Sequence, residues 1–222
     1  MSVTGRRGQI APLGRHLIHA IAWRPSMAAA LVAVAILGLP TLLDRQPNPE
    51  HTLRSVRLAA LLLGASASVA LADQMDWLQV PTPRWLRQWL RVIIAVVPCA
   101  GVWALLTVPA LAALGTGHLR FVVGLTAEAS VSALIALLGV AVAVRFRRGN
   151  VVALAGAAAL LGFVCATLFL PDEWAAWPAA GAANWGRVHQ WWWCALPVLT
   201  LGLVAANGDT LSRRYTYAVC KR

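Results

Sequence analysis

The sequence predicts an all-α, polytopic membrane protein, and three observations carry that reading. Of the 222 residues, 59% are hydrophobic and only 12% charged, against about 25% charged in an ordinary soluble domain. Mean hydropathy is +0.68. The apolar residues run in continuous blocks instead of alternating, which argues for helices and against a β-barrel. So little polar surface cannot coat a water-soluble core, and disorder, a collagen-like chain and a disulfide scaffold are excluded. The formal net charge is +11, but the arginines sit at the ends of apolar blocks, where they meet phospholipid headgroups. Membrane lipid, and no nucleic acid, is the expected partner of that charge. Too little polar chain remains for a separate soluble enzyme domain, so residues 1–222 form a single transmembrane domain.

The elements follow in order. Gln9 to Trp23 places Leu13, Leu17, Ile18 and Ile21 on one helical face, with Arg15, His16 and His19 off it. This pattern fits an amphipathic helix on the inner membrane surface. The first span is Met27 to Leu43. It ends in GLPTLLD without a small-x-small cleavage site, so it is a retained span and not a signal peptide. The second span, Val56 to Ala72, carries Gly64, Ser66 and Ser68, small residues that let helices approach closely. The third is Val92 to Leu114, the fourth Phe121 to Val144, the fifth Val151 to Leu170 with Gly156 and Gly162, and the sixth Trp191 to Ala206. The first, second and sixth fall short of the usual ~20 residues and are expected to extend into their flanks or tilt little. Pro98, Pro109 and Pro197 are expected to kink or end their helices.

Two segments between spans stand out. Asp73 to Arg91 reads DQMDWLQVPTPRWLRQWLR. Pro81 and Pro83 break it, Arg84, Arg87 and Arg91 share one helical face, and Trp85 and Trp89 form an adjacent aromatic stripe. Such a helix can float on headgroups or dock on another protein. Pro171 to Gln190 is Trp-rich and mildly apolar, with Trp174, Trp177 and Trp185, and is interrupted by Pro178, Gly181 and Gly186. It is too short to span twice, and short helices dipping into the outer leaflet fit it.

Six spans put both termini on one side. The termini and the loops after spans two and four hold 14 of the basic residues, and the other three loops hold 5. The positive-inside rule then places both termini in the cytoplasm, with the RFRR turn at Arg145 to Arg148 as the clearest anchor. The Arg- and Ala-rich composition points to a bacterium of high GC content, and so to a bacterial cell (inner) membrane.

Chemistry-bearing residues are few. Glu128 lies inside the fourth span, and a carboxylate there is costly enough that a function is its default reading. It could line a substrate path, relay a proton, pair with an arginine such as Arg120, or hydrogen-bond a Ser or Thr on a neighbouring helix. Cys99, Cys165, Cys194 and Cys220 are scattered and read as small apolar fillers. His118 and His189 lie at outer ends and His51 in an outer loop, not within spans as haem ligation across a bilayer would want, so a metal site built from them is the minor reading. There is no G-x-x-x-x-G-K-[ST], no H-E-x-x-H and no G-x-S-x-G. The chain is therefore not expected to be an enzyme.

The layout as a whole resembles the membrane subunits of ABC transporters of the ABC-2 type. Gln9 to Trp23 looks like their elbow helix. The segment Asp73 to Arg91, with PTPRWLR at its centre, looks like their coupling helix. Pro171 to Gln190 resembles their re-entrant extracellular helices. The resemblance implies an exporter permease without its own cofactor, paired with a second copy or a related permease and with cytoplasmic ABC ATPase subunits that bind ATP and Mg. It implies coupling through Asp76, Trp77, Arg84, Trp85, Arg87, Trp89 and Arg91. The substrate path would be bounded by Glu128, Ser66, Ser68, Trp177, Trp185 and Trp192. Two other classes remain open: a proton-coupled secondary transporter using Glu128, and a non-transporting membrane anchor.

Overall fold

The computed structural model describes residues 23–43, 49–71, 84–114, 119–146, 151–171, 174–179 and 181–208. Among the described residues there are six helices: α1 (Trp23–Leu43), α2 (Pro49–Val69), α3 (Arg84–Leu114), α4 (Leu119–Phe146), α5 (Val151–Leu168) and α6 (Trp185–Asn207). No strand occurs among the described residues. Four stretches are long and apolar enough to cross a membrane: Glu50–Val69, Trp85–Val108, Phe121–Phe146 and Trp185–Asn207. The apolar parts of α1 and α5, Trp23–Leu39 and Leu154–Leu168, are shorter. The four long apolar helices mark a membrane-embedded protein, helical throughout the elements of its described residues.

Each apolar block of the sequence lies in its own helix, but three helices begin well before their blocks. α2 starts at Pro49 and not near Val56, α3 at Arg84 and not near Val92, and α6 at Trp185 and not near Trp191. Hydropathy marks where a helix enters hydrocarbon, whereas the backbone ladder continues through charged residues. Pro49 suits a first helical position, since its missing N–H has no intrahelical partner there. Glu50 and Arg54 then pair at i, i+4, 3.5 Å apart and exposed. The prolines do not end their helices: α3 runs through Pro98 and Pro109, and α6 through Pro197.

Successive helices run in opposite directions. Trp23 at the start of α1 packs with Ala67 and Ala70 at the end of α2 and with Ala95 near the start of α3. Leu37 near the end of α1 packs with Leu53 and Val56 of α2, Leu106 of α3 and Leu125 of α4. α4 is central and packs against α2, α5 and α6, while α2 also contacts α1, α3 and α5. Small residues bring these helices close. A Cβ on Gly64 would lie 3.1 Å from the backbone N and Cα of Ala133, so α2 and α4 touch almost backbone to backbone. A Cβ on Gly156 would collide with Ser68 of α2 and come 2.8 Å from the carbonyl oxygen of Ala136. Leu31, Leu105, Leu154, Phe169 and Leu201 point outward, as side chains facing lipid do.

At the end shared by the start of α1 and the close of α4 and α6, Arg145 caps α6. Its Nε donates to Ala206 O at 2.8 Å, and its Nη2 donates to Ala205 O at 2.6 Å and Gly208 O at 3.2 Å. A guanidinium there satisfies carbonyls that have no intrahelical partner and meets the negative end of the helix dipole.

Candidate functional site: a buried arginine–glutamate–histidine cluster

At the opposite end, where α2, α4 and α6 begin, one residue from each helix meets the others in the interior. Glu128 of α4 is 2% exposed. Both its oxygens are held by Arg57 of α2: Nε donates to Oε2 at 2.8 Å and Nη2 to Oε1 at 2.9 Å. This bidentate fork is the strong form of the pair. Arg57 Nη2 also donates to Pro178 O at 2.9 Å, which ties in the segment before α6. His189 of α6 completes the group, with Nε2 3.1 Å from Glu128 Oε1 and Nδ1 2.7 Å from Trp185 O.

Aromatic rings enclose these charges. The Arg57 guanidinium lies 5.6 Å from the centre of the Trp177 ring and 5.9 Å from that of Trp185, a cation–π arrangement that partly replaces lost water. Trp185 stacks on His189 at 4.2 Å and lies 4.6 Å from Phe121. Behind them, Trp177 and Trp192 are 5.1 Å apart, with Phe163 edge-on to both. Their indole N–H groups are satisfied too: Trp177 donates to Thr167 Oγ1 at 2.8 Å and Trp192 to Ala176 O at 3.2 Å. Gly124 makes room for His189, because a Cβ there would come within 2.5 Å of the imidazole ring.

The sequence singled out Glu128 and four candidate origins for its cost. The arginine that pairs with it is Arg57, which hydropathy assigns to the edge of a span. The side chain of Arg120 lies outside the described residues. His189, read as a residue of the outer end, is buried at 5% exposure. Trp177, Trp185 and Trp192 gather with Glu128 as one wall. Ser66 and Ser68 do not join them. Ser66 donates to Leu63 O and meets Cys99, while Ser68 donates to Ala65 O and packs against Gly156. Both are buried in the contacts of α2 with its neighbours.

Of the coupling residues, Asp76 and Trp77 lie outside the described residues, as does the elbow segment up to residue 22. From Arg84 onward the stretch is the first turns of α3, continuous with the third span. Trp85 is 46% exposed, Arg87 and Trp89 are half-buried, and Arg91 is 3% exposed. The tail of the outer segment, from Trp185, is likewise the start of α6.

A separate apolar groove of about 380 Å³ lies between α2, α3, α4 and α6, with Gly64, Trp89, Val96, Trp103, Ala133 and Leu203 in its lining. None of Glu128, Ser66, Ser68, Trp177, Trp185 and Trp192 lines it. No three His, Cys, Asp or Glu side chains converge among the described residues, and the two that meet, Glu128 and His189, are engaged by Arg57 and Trp185 O. Searches against protein families, curated proteins and solved structures returned no match for this chain.

Proposed function

We propose that the chain is the membrane-spanning permease subunit of an ATP-driven ABC exporter of the ABC-2 type. In this reading all six helices span a bacterial cell membrane, both termini are cytoplasmic, and separate ATPase subunits bind ATP and Mg. The single observation that supports it best is the start of α3. Its basic, aromatic first turns are continuous with the rest of α3 as one unbroken helix, with Trp85 exposed. A force applied there is transmitted to the lining of the apolar groove, because Trp89 belongs to both. The groove, rather than the Glu128 end, is then the substrate path, since both carboxylate oxygens are already engaged. Its apolar lining suits a lipid-like or peptide-like cargo.

The test is recovery of the tagged chain from native membranes in mild detergent, with co-purifying proteins identified by mass. A stoichiometric ATPase carrying a Walker motif is expected, and R84E/R87E should release it while leaving insertion intact. Recovery without an ATPase, under conditions that preserve a control transporter complex, overturns the proposal.

A further inference from the structure

The contacts of His189 require more protons than a neutral ring can supply. A carbonyl oxygen only accepts hydrogen bonds, so the 2.7 Å contact from Nδ1 to Trp185 O needs a proton on Nδ1. A carboxylate held by an arginine fork also only accepts, so the 3.1 Å contact from Nε2 to Glu128 Oε1 needs a second proton, on Nε2 or on the carboxyl oxygen. A neutral imidazole has one proton. With it on Nε2, two lone pairs face each other at Trp185 O; with it on Nδ1, they face each other at Glu128. Each choice leaves a buried, repulsive contact in a setting of low dielectric.

We propose that Glu128 and His189 together form a binding site for one exchangeable proton, filled in the arrangement described here. Occupied, the cluster comprises the Arg57 guanidinium, the Glu128 carboxylate and a histidine ring with both nitrogens protonated, a formal charge of +1. Release of the proton to water brings that charge to zero and leaves one of the two contacts repulsive. The ring must then turn or withdraw. Because Gly124 leaves no slack on the α4 side, the first turn of α6 moves with it. The proton is thereby linked to the seating of α6 and of residues 174–179 against α2 and α4.

Among the described residues, the charged groups around the site come from these elements. From α2 come Arg57 inside and the exposed pair of Arg54 and Glu50. α4 presents Glu128, with the side chain of Arg120 outside the described residues. α6 presents His189 and the exposed Arg187. From the 174–179 segment the groups facing the site are the Pro178 carbonyl and the Trp177 ring. The inference rests on this geometry and does not depend on the energy source of transport.

The experiment uses the full chain in detergent or lipid discs, with His16, His19, His51 and His118 replaced by Asn and ¹⁵N-histidine incorporated. His189 is then the single ring observed, and the cluster is unaltered. Nitrogen chemical shifts report whether each ring nitrogen carries a proton as pH is varied from ~5 to ~9. Both nitrogens are expected to be protonated at the acid end, with one proton lost in a single step as pH rises. E128Q should abolish or displace that step, since it replaces the carboxylate charge with a neutral amide and leaves Arg57 facing the ring. E128D, which keeps the carboxylate, should retain most of the wild-type behaviour. Ring-nitrogen shifts that stay unchanged across the whole range overturn the proposal, as does a step that E128Q leaves in place. The first of these readings needs no change in the cluster, so it stands even where E128Q fails to fold.

Discussion

Glu128 has two basic neighbours, Arg57 and His189, and Arg57 has one carboxylate neighbour, and that asymmetry makes their substitutions unequal. R57Q leaves Glu128 with His189, which can still neutralise it. E128Q leaves Arg57 and a protonatable ring facing each other in the interior. Breaking a buried pair by removing one partner costs ~3–5 kcal/mol, and E128Q is expected at or above the top of that range, with R57Q below it. The double variant R57Q/E128Q should cost less than the two single effects added. Thermal unfolding in detergent reads all three, and equal losses for the single variants would show that His189 does not share the carboxylate. G124A tests the same cluster sterically. Its Cβ would meet the His189 ring, and overpacking of this kind costs ~1–3 kcal/mol, read as a lowered Tm. The odd carboxylate was legible in the sequence because a charge inside an apolar block is conspicuous. Its partners were not. Arg57 and His189 lie at the ends of their blocks, 71 and 61 residues away along the chain, and look like ordinary headgroup residues. Only the shared depth of three helix starts brings them together.

At the scale of elements, the apolar blocks located each of the six described helices, whereas the starts of α2, α3 and α6 were hidden by polar first turns. The same effect made Arg84 to Arg91 read as a separate interfacial helix, because a hydropathy minimum looks alike whether the backbone breaks or continues. What fixes the helices to one another is the placement of glycine, and this was only partly readable. Gly64, Gly156 and Gly162 all look like packing residues in sequence, yet a Cβ on Gly162 would meet nothing within 4 Å, while one on Gly64 would meet the Ala133 backbone. A backbone neighbour cannot give way unless the helices separate. G64A is therefore expected to lower stability by ~1–3 kcal/mol. G162A, which gains helix propensity in open space, should be neutral or stabilising by up to ~1 kcal/mol. Melting curves of the two variants side by side decide the matter, and an equal loss at both positions would contradict the close contact of α2 and α4.

For the molecule as a whole, the alternation of helix direction sorts its charges into two ends. One end carries Arg24, Arg87, Arg91 and Arg145. The other carries the Glu50–Arg54 pair, the Arg57–Glu128–His189 cluster and Arg187. Arginines held in the interior or paired with a carboxylate are weaker topological anchors than solvent-facing ones; that discounts Arg54 and Arg57 at the second end and Arg91 at the first, so the excess at the first end is larger in effect than in number. Moving a charge against the membrane potential costs ~2.3 kcal/mol per 100 mV, which favours keeping that end inside. The expected orientation is tested in a chain with Cys99, Cys165, Cys194 and Cys220 replaced by Ala and a single new cysteine added. A membrane-impermeant maleimide should label A179C in intact cells and N150C only after lysis. The reverse pattern would put the start of α3 outside the cell, beyond the reach of any cytoplasmic ATPase. The permease reading would then fail at its central point, while the proton site, which depends only on contacts within the bundle, would stand and would face the cytoplasm.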